Sequence, residues 1–317
     1  MMKRVIILDD YQSVALSSAD WGPLKGRADV VASTVHVAGK EKLIALLAGF
    51  HGVVVNRERT ELSAEIIDAL PDLEVIATSG MRNSAIDTAA AARKGILVCG
   101  TQTLGYPTVE LTWGLILGLL RHIPAEDAAM KAGKWQSTVG RGISGKTLGI
   151  AGFGRIGKDV ARIGNAFGMQ VIACSRSMST EQAKSAGVEA VDKAELFRRS
   201  DILTLHLKLT AETEKWVGRA ELAAMKKEAV LVNTARGSLV DEAALVEALQ
   251  NRTIAGAALD TYEHEPLPAG HPMRHLDNVL ATPHLGYVTA ENYELSFGEI
   301  VENLDAWLKG VPIRVIA

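Results

Sequence analysis

Cysteine is scarce in this chain. Cys99 and Cys174 lie far apart and in no Cys-x-x-Cys or zinc-ligand spacing, which excludes a disulfide framework and a thiolate metal centre and predicts free thiols in a reducing compartment. No metal is expected. Excess charge is also lacking: 34 Lys and Arg face 37 Asp and Glu, a formal net charge of −3, so nothing favours nucleic acid or an anionic membrane as a partner. Long hydrophobic runs are missing too. The longest, Trp113 to Leu120, lies between Glu110 and Arg121 and falls well short of the ~20 residues of a membrane span. Val5 to Leu8 is too short for the apolar core of a signal peptide. A cytoplasmic protein is expected.

With 48% hydrophobic and 22% charged residues, the 317-residue chain has the balance of a globular protein. A prior of about 150 residues per domain suggests two domains. Short, mostly β-branched runs recur at Val5 to Leu8, Val30 to Thr34, Gly52 to Val55, Val75 to Thr78 and Ile96 to Val98, and they read as buried parallel strands. Helical patterns fall between them near Leu43 to Leu47, Ala64 to Leu70 and Ile86 to Arg93, making one doubly wound α/β unit. Such sheets bind ligands at the carboxyl ends of their strands, here the loops Asn56 to Thr60 and Ser79 to Asn83. The segment Ser79-Gly80-Met81-Arg82-Asn83 follows a strand and precedes a helical pattern. Its N–H groups are expected either to hold a small carboxylate or to form a plain turn capped by Asn83 or Ser84. Arg57 and Arg59 flank Glu58 and read as a solvated cluster, with Arg57 kept as a pocket candidate.

Pro107 to His122 reads as a long helix that is apolar on nearly every face apart from Glu110 and Thr112. It must be covered all round, between domains or in a subunit interface. Ala125 to Gly142 has few apolar residues, contains Trp135 and reads as an excursion that packs elsewhere. Both segments predict a homodimer.

The strongest local signal is Gly152-Phe153-Gly154-Arg155-Ile156-Gly157, preceded by the apolar run Leu148 to Ala151 and followed by a helical pattern, Lys158 to Phe167. In the order strand, glycine turn, helix, this is a dinucleotide fingerprint. Its first glycine allows the turn, its second admits a pyrophosphate and its third lets helix and strand approach. A second match, Gly140 through Gly145-Lys146-Thr147, has the letters of a phosphate loop but leads into a strand instead of opening a helix, which excludes an ATPase. After the next strand, Gln170 to Cys174, the carboxylate that binds a ribose 2′-hydroxyl is expected roughly 20 residues beyond the fingerprint. Ser175 and Arg176 stand there instead. A guanidinium suits a 2′-phosphate, so the cofactor is read as NAD(P), with NADP slightly favoured over NAD.

Further strands, Asp201 to Leu205, Ala229 to Asn233, Ala255 to Leu259 and Val279 to Ala281, end at His206, Thr234-Ala235-Arg236-Gly237, Asp260 and Thr282-Pro283-His284. His206 is read as part of a cofactor wall. Reduction of a 2-oxo acid beside a nicotinamide asks for a group that exchanges a proton near neutrality, a cation with fork geometry and a carboxylate that orients the imidazole. Arg236, Glu265 and His284 supply one of each.

The stretches Gly145 to Gly157, Leu231 to Gly237, Ala258-Leu259-Asp260 through Glu265-Pro266, and Thr282-Pro283-His284 together resemble the D-isomer-specific 2-hydroxyacid dehydrogenases, over almost the whole chain. The resemblance implies two doubly wound parallel-sheet α/β domains, a Rossmann cofactor domain (residues 100–286) inserted in a flavodoxin-like substrate domain (residues 1–99 and 287–317). It implies that Arg236 binds the substrate carboxylate and carbonyl, that His284 is the general acid/base paired with Glu265, and that Asp260 holds the nicotinamide carboxamide. By the same pattern Gly152 to Gly157, Ser175, Arg176, His206, Thr234 and Ala235 bind cofactor, and Ser79, Gly80 and Met81 join Arg236 and His284 at the substrate. Two departures touch the substrate and cofactor edges: Lys208 replaces a proline common after the strand ending at His206, and Arg82 replaces a glycine. The lack of a segment resembling a regulatory domain after the site lowers the expectation of phosphoglycerate, and Glu265 argues against formate. The expected substrate is a small 2-oxo acid such as glyoxylate or hydroxypyruvate. The alternatives are an NAD(H)-sensing, corepressor-like binding protein and an enzyme of this family acting on phosphite.

Overall fold

The computed structural model describes residues 2–176 and 178–317. In chain order, the elements are β1 (Lys3–Ile7), β2 (Ala28–Ala32), α1 (Lys40–Leu47), β3 (Gly52–Val55), α2 (Ala64–Asp68), β4 (Val75–Thr78), α3 (Thr88–Arg93) and β5 (Leu97–Gly100). There follow α4 (Tyr106–Leu120), α5 (Ile123–Lys131), β6 (Thr147–Ala151), α6 (Arg155–Ala166), β7 (Gln170–Cys174), α7 (Thr180–Ser185), β8 (Glu189–Ala190), α8 (Lys193–Arg199) and β9 (Ile202–Leu205). The chain then forms α9 (Arg219–Ala224), β10 (Val230–Asn233), α10 (Glu242–Gln250), β11 (Gly256–Leu259), β12 (Val279–Ala281) and α11 (Ala290–Leu308). It divides into two compact units, Met1–Leu104 with Val288–Ala317, and Gly105–Tyr287.

In the first unit five parallel strands take the order β2-β1-β3-β4-β5, the flavodoxin-like arrangement. β3 and β4 are buried along their whole length, as near-continuous Val, Ile and Ala runs require when helices cover both sheet faces. Leu43 and Leu47 of α1, Ile66 and Ile67 of α2 and Ala90 and Ala91 of α3 pack with Val53, Ile76 and Val98 in one core, each large side chain contributing about 1.5–3 kcal/mol. The chain end belongs to this unit. Val98 N–H donates to Ala317 O (2.8 Å) and Gly100 N–H to Arg314 O (3.0 Å), with Cys99 and Val315 bridged antiparallel along β5.

The second unit holds seven parallel strands in the order β12-β11-β10-β9-β6-β7-β8. Counted from β6, this is the 3-2-1-4-5-6 order of dinucleotide-binding folds with one strand added. One core joins Val109, Trp113, Ile116 and Leu120 of α4 to Val160 and Ala161 of α6 and Ile150 of β6. A second joins Leu196, Phe197, Leu222, Leu245 and Leu249 of α8 to α10 to Leu203 and Leu231.

The apolar helix α4 therefore finds much of its cover inside its own unit, against α6 and β10 to β12, a correction to the expectation of burial between domains or subunits alone. Its sequel differs from the reading as well. The excursion begins with a helix, α5, that buries none of its residues. Local terms hold it: Pro124 in the first turn, and Asp127 paired to Lys131 across one turn at 2.6 Å. Around it Ile123, Met130, Trp135 and Val139 are 54%, 57%, 74% and 91% exposed. No helix among the described residues is long and apolar enough to cross a membrane.

Candidate active site

In the second unit the strand order reverses at β6, so the carboxyl ends of β6 and β9 flank the crevice where this sheet type takes ligands. Gly152 turns there with φ +92°. A Cβ on it would stand 2.6 Å from His206 O, so the chain after β9 runs directly against the turn. A Cβ on Gly157 would collide with Gly152 O, which is why helix α6 begins so close to the strand. Gly154, the N-cap of α6, is different. A Cβ there meets nothing within 4 Å, and the glycine leaves open the space before the helix's first N–H groups that a pyrophosphate needs. The second buried signal is His206 Nδ1, which has no hydrogen-bond partner in the structure, while Nε2 pairs with Thr204 Oγ1 at 3.0 Å. The glycine cradle and the orphaned nitrogen fit a dinucleotide.

The remaining cofactor candidates fall into two groups. Phe153 is 4% exposed and sits in the core. Thr234 is buried with its hydroxyl against Thr112 Oγ1 at 2.9 Å. These side chains are committed to packing, so any contact they make to a ligand is through backbone. Arg155 is exposed, its guanidinium against Gly105, and Ile156 is half-buried. Ser175 follows β7, and Arg176 beside it pairs with Glu212 at 3.1 Å.

Burial pushes the His206 imidazole down to about 4. Its ordinary value is ~6.5, so between those limits the unfolded chain binds a proton that the folded chain refuses, and stability falls as pH is lowered through the window. About 2 kcal/mol should be lost between pH 7 and pH 5 from this group. Urea titrations at the two pH values should show that loss shrinking in His206→Asn. An equal loss in the variant would place the acid sensitivity elsewhere.

Two side chains meet at the carboxyl edge of the same sheet, and Arg236 lies in the turn that follows β10 on that edge. His284 Nδ1 lies 2.6 Å from Glu265 Oε2, the two side chains 14% and 23% exposed. Glu265 Oε1 accepts the Tyr262 N–H at 2.9 Å, so both carboxylate oxygens are used and the group has one orientation. With Nδ1 turned to Glu265, Nε2 is the nitrogen left to face a substrate. His284 itself sits at φ +54°, a left-handed conformation uncommon outside glycine, and its ring meets Tyr287 edge-on at 5.5 Å.

What holds that backbone is Asp260, fully buried at the end of β11. Its Oδ1 accepts from Thr282 Oγ1 (2.6 Å) and Leu285 N–H (2.7 Å), and its Oδ2 from Gly286 N–H (2.8 Å). Burial pushes the Asp260 carboxyl up, against the pull of these donors. The residue expected at a nicotinamide carboxamide is thus also the clamp on the loop carrying His284. Thr108 adds a tie, its hydroxyl donating to Gly286 O at 2.8 Å.

Arg236 is positioned by its neighbours in sequence. Asn233, ending β10, donates from its amide to Arg236 O (2.8 Å) and accepts the Ala235 N–H (3.0 Å), and Arg236 Nη1 donates to Ala235 O at 2.6 Å. Gly237 then brings this turn against the loop of Glu265, since a Cβ on it would collide with the Tyr262 carbonyl. Sequence reasoning singled out neither Asn233 nor this contact, although an asparagine at a strand end is itself a turn signal. Gly237→Ala should cost about 3 kcal/mol or more, because backbone atoms and not a flexible side chain stand in the way. Thermal and urea unfolding measure it, and an unchanged midpoint would show that the two loops separate freely.

In the first unit the turn after β4 departs from expectation. Helix α3 begins at Thr88 and is capped by Asp87, whose Oδ1 accepts the Ala90 N–H at 2.8 Å, so Ser79, Gly80 and Met81 do not lie at a helix N-terminus. The polar residues after them prefer a local turn. Asn83 Oδ1 accepts the Ala85 N–H (2.9 Å) and its amide donates to Arg57 O (2.6 Å). Two of the three N–H groups are already engaged, Ser79 with Val55 O (3.2 Å) and Gly80 with Thr101 Oγ1 (3.0 Å). Met81 is 45% exposed. Arg57, read as solvated, packs its guanidinium against Gly80 instead, and its N–H donates to Ser79 Oγ at 2.9 Å. Among the described residues no group of three or more His, Cys, Asp or Glu is placed to hold a metal ion.

Comparison with known proteins gives the arrangement a lineage. The D-3-phosphoglycerate dehydrogenase of Methanocaldococcus jannaschii is 42% identical over 262 residues, 81% of this chain and 50% of its own. The chain thus spans about half the length of that relative. The glyoxylate reductase of Aeropyrum pernix is 41% identical over 266 residues, 80% of this chain and 79% of that protein. Among solved structures, a phosphoglycerate oxidoreductase from Vibrio cholerae superposes with a TM-score of 0.93 at 38% identity, covering 98% of this chain and 100% of the other. Residues 113–286, which span the glycine turn, Arg236, Asp260, Glu265 and His284, match the family described as D-isomer specific 2-hydroxyacid dehydrogenase, NAD binding domain. With its parallel sheets, its fingerprint and relatives this similar, the chain belongs to the D-isomer-specific 2-hydroxyacid dehydrogenases.

Proposed function

We propose that the chain is an NAD(P)-dependent dehydrogenase that interconverts a small 2-oxo acid and its D-2-hydroxy acid, with glyoxylate and hydroxypyruvate the first candidates. The observation that carries the reading is the 2.6 Å pairing of His284 with Glu265 at the sheet edge where Arg236 also turns. Bound at the glycine cradle, the nicotinamide supplies or accepts a hydride, two electrons with one proton. In the reducing direction a C–H bond forms at the carbonyl carbon, and the π pair moves to the oxygen. His284 Nε2 gives that oxygen its proton. Glu265 holds the ring with the correct nitrogen forward, and Arg236 supplies a planar fork for carboxylate and carbonyl. Asp260 fixes the backbone of the His284 loop and is the proposed partner of the carboxamide. Gly152 to Gly157 hold the pyrophosphate, with Ser175 and Arg176 at the ribose and His206, Thr234 and Ala235 along the cofactor wall. Ser79, Gly80 and Met81 are the proposed substrate-contacting turn of the first unit, with Met81 its exposed member. NADP is placed slightly ahead of NAD because Arg176 occupies the carboxylate position.

A panel of glyoxylate, hydroxypyruvate, pyruvate, phosphite and formate, followed by cofactor absorbance with NADH and NADPH or their oxidised forms, tests this. Turnover of a 2-oxo acid is the expected result. Turnover of phosphite alone, or of nothing while the cofactor binds, overturns it.

The same reading includes a homodimer through α4, α5 and the segment to Gly142. It is supported by the exposed Ile123, Met130, Trp135 and Val139 and by an open groove of about 600 Å³ whose lining mixes Leu117, Ile123, Met130 and Trp135 with the charged Arg121, Glu126, Asp127 and Lys134. Light scattering at micromolar concentration should return twice the chain mass. A monomer mass removes the dimer. A cytoplasmic setting belongs to the same reading and is supported by two free cysteines, with burial pushing the Cys99 thiol up to about 11.

A further inference from the structure

The sheet order β9-β6-β7 puts the residues that follow β7 and those that follow β9 on opposite sides of the glycine turn. One ion pair spans that gap. Arg176 Nη1, just beyond β7, lies 3.1 Å from Glu212 Oε2 in the loop beyond β9, and the side chains are 79% and 72% exposed. Glu212 is delivered by a well-held turn. Its neighbour Thr213 is 7% exposed, donates from its hydroxyl to Lys208 O (2.6 Å) and accepts the Thr210 N–H (2.8 Å). Arg176 meanwhile stands where this fold type reads the adenosine ribose, and the carboxylate usual there is missing from the end of β7. The acidic group at that corner thus comes from another loop, and it already occupies the guanidinium that a 2′-phosphate would use.

We propose that Glu212 is a cofactor-selecting residue: its carboxylate competes with the 2′-phosphate for Arg176, and so restrains the preference for NADP over NAD. The inference rests on the cofactor reading above. An exposed pair of this kind is weak and readily exchanged, so a phosphate can displace Glu212. Doing so leaves a carboxylate beside a new dianion. NAD places no charge at that corner and leaves the pair undisturbed. Glu212 acts through Arg176 and is a positioning residue, not a catalytic one.

Calorimetric titration of NADPH, NADH and adenosine 2′-monophosphate into the full chain tests this, with Glu212→Gln, Arg176→Ala and the double variant. Glu212→Gln should tighten NADPH and adenosine 2′-monophosphate by about two- to fivefold, the range one exposed charge supplies, and leave NADH within about twofold. Arg176→Ala should weaken the 2′-phosphorylated ligands by about tenfold or more and abolish the gain from Glu212→Gln. Both positions are exposed, and unchanged melting temperatures confirm that only the pair has been altered. An unchanged NADPH to NADH ratio in Glu212→Gln overturns the inference while the cofactor reading stands. A gain that persists without Arg176 also overturns it, because the carboxylate would then act directly. Binding of neither dinucleotide to the wild-type chain overturns the cofactor reading and this inference with it.

Discussion

Replacing His284 with alanine should lower kcat for glyoxylate or hydroxypyruvate reduction by about 10²- to 10⁴-fold, the contribution of a positioned proton donor. The cofactor affinity should hardly move. The expectation follows from geometry: Glu265 takes Nδ1 at 2.6 Å and Asp260 fixes the loop from both flanks of the histidine, so the ring is presented in one orientation with one nitrogen forward. Cut back to a methyl group, the residue has no proton to give, and the carbonyl oxygen must take its proton from another source. Stopped-flow absorbance separates hydride transfer from product release. An unaltered single-turnover rate would remove His284 from the proton-transfer role, whatever the steady state shows.

Arg236→Ala should be of similar size and different in kind. A charge-assisted hydrogen bond contributes roughly 1.5–3 kcal/mol, and loss of a two-pronged contact therefore predicts a fall in kcat/KM of about 10²- to 10⁴-fold. Most of it should appear in KM if the contact is the same in ground and transition state, and in kcat if the developing oxyanion is its target. Arg236→Lys keeps the charge but not the fork and should recover only part of the loss. Were both variants to retain wild-type KM and kcat, the 2.6 Å bond from Arg236 Nη1 to Ala235 O would become its main role, that of stiffening a turn.

Much of the fold was legible because its strands are buried on both faces. Gly52 to Val55 and Val75 to Thr78, buried throughout, and Gln170 to Cys174 are found at the predicted residues, and the run Leu148 to Ala151 lies within β6, since a continuous apolar run bounded by polar or glycine residues has few other solutions. Elements with an exposed face read less clearly. α5 buries nothing and rests on a first-turn proline and an ion pair, terms too small to outweigh its polar composition in a periodicity argument. The residues of the candidate site were visible by type and by their place at strand ends, but their supports were not. That Asp260 clamps the His284 loop depends on β11 and β12 being neighbours, and that Arg176 meets Glu212 depends on β7 and β9 flanking β6. Sequence distance hides both. The turn at Ser79 shows the converse failure: the helical pattern points to a start at Ile86, whereas Asp87 caps a helix that begins at Thr88 and Asn83 draws the intervening backbone into a turn of its own.

The tail that pairs along β5 makes the first unit discontinuous, whereas Gly105–Tyr287 is one uninterrupted stretch. During synthesis the leading 104 residues emerge before their last helix and edge partner exist, so β5 must wait with an open flank that can template pairing with another chain. The inserted unit can close while that wait lasts. The time taken to synthesise the inserted unit and then the returning segment Val288–Ala317 sets how long β5 stays open to pairing with another chain.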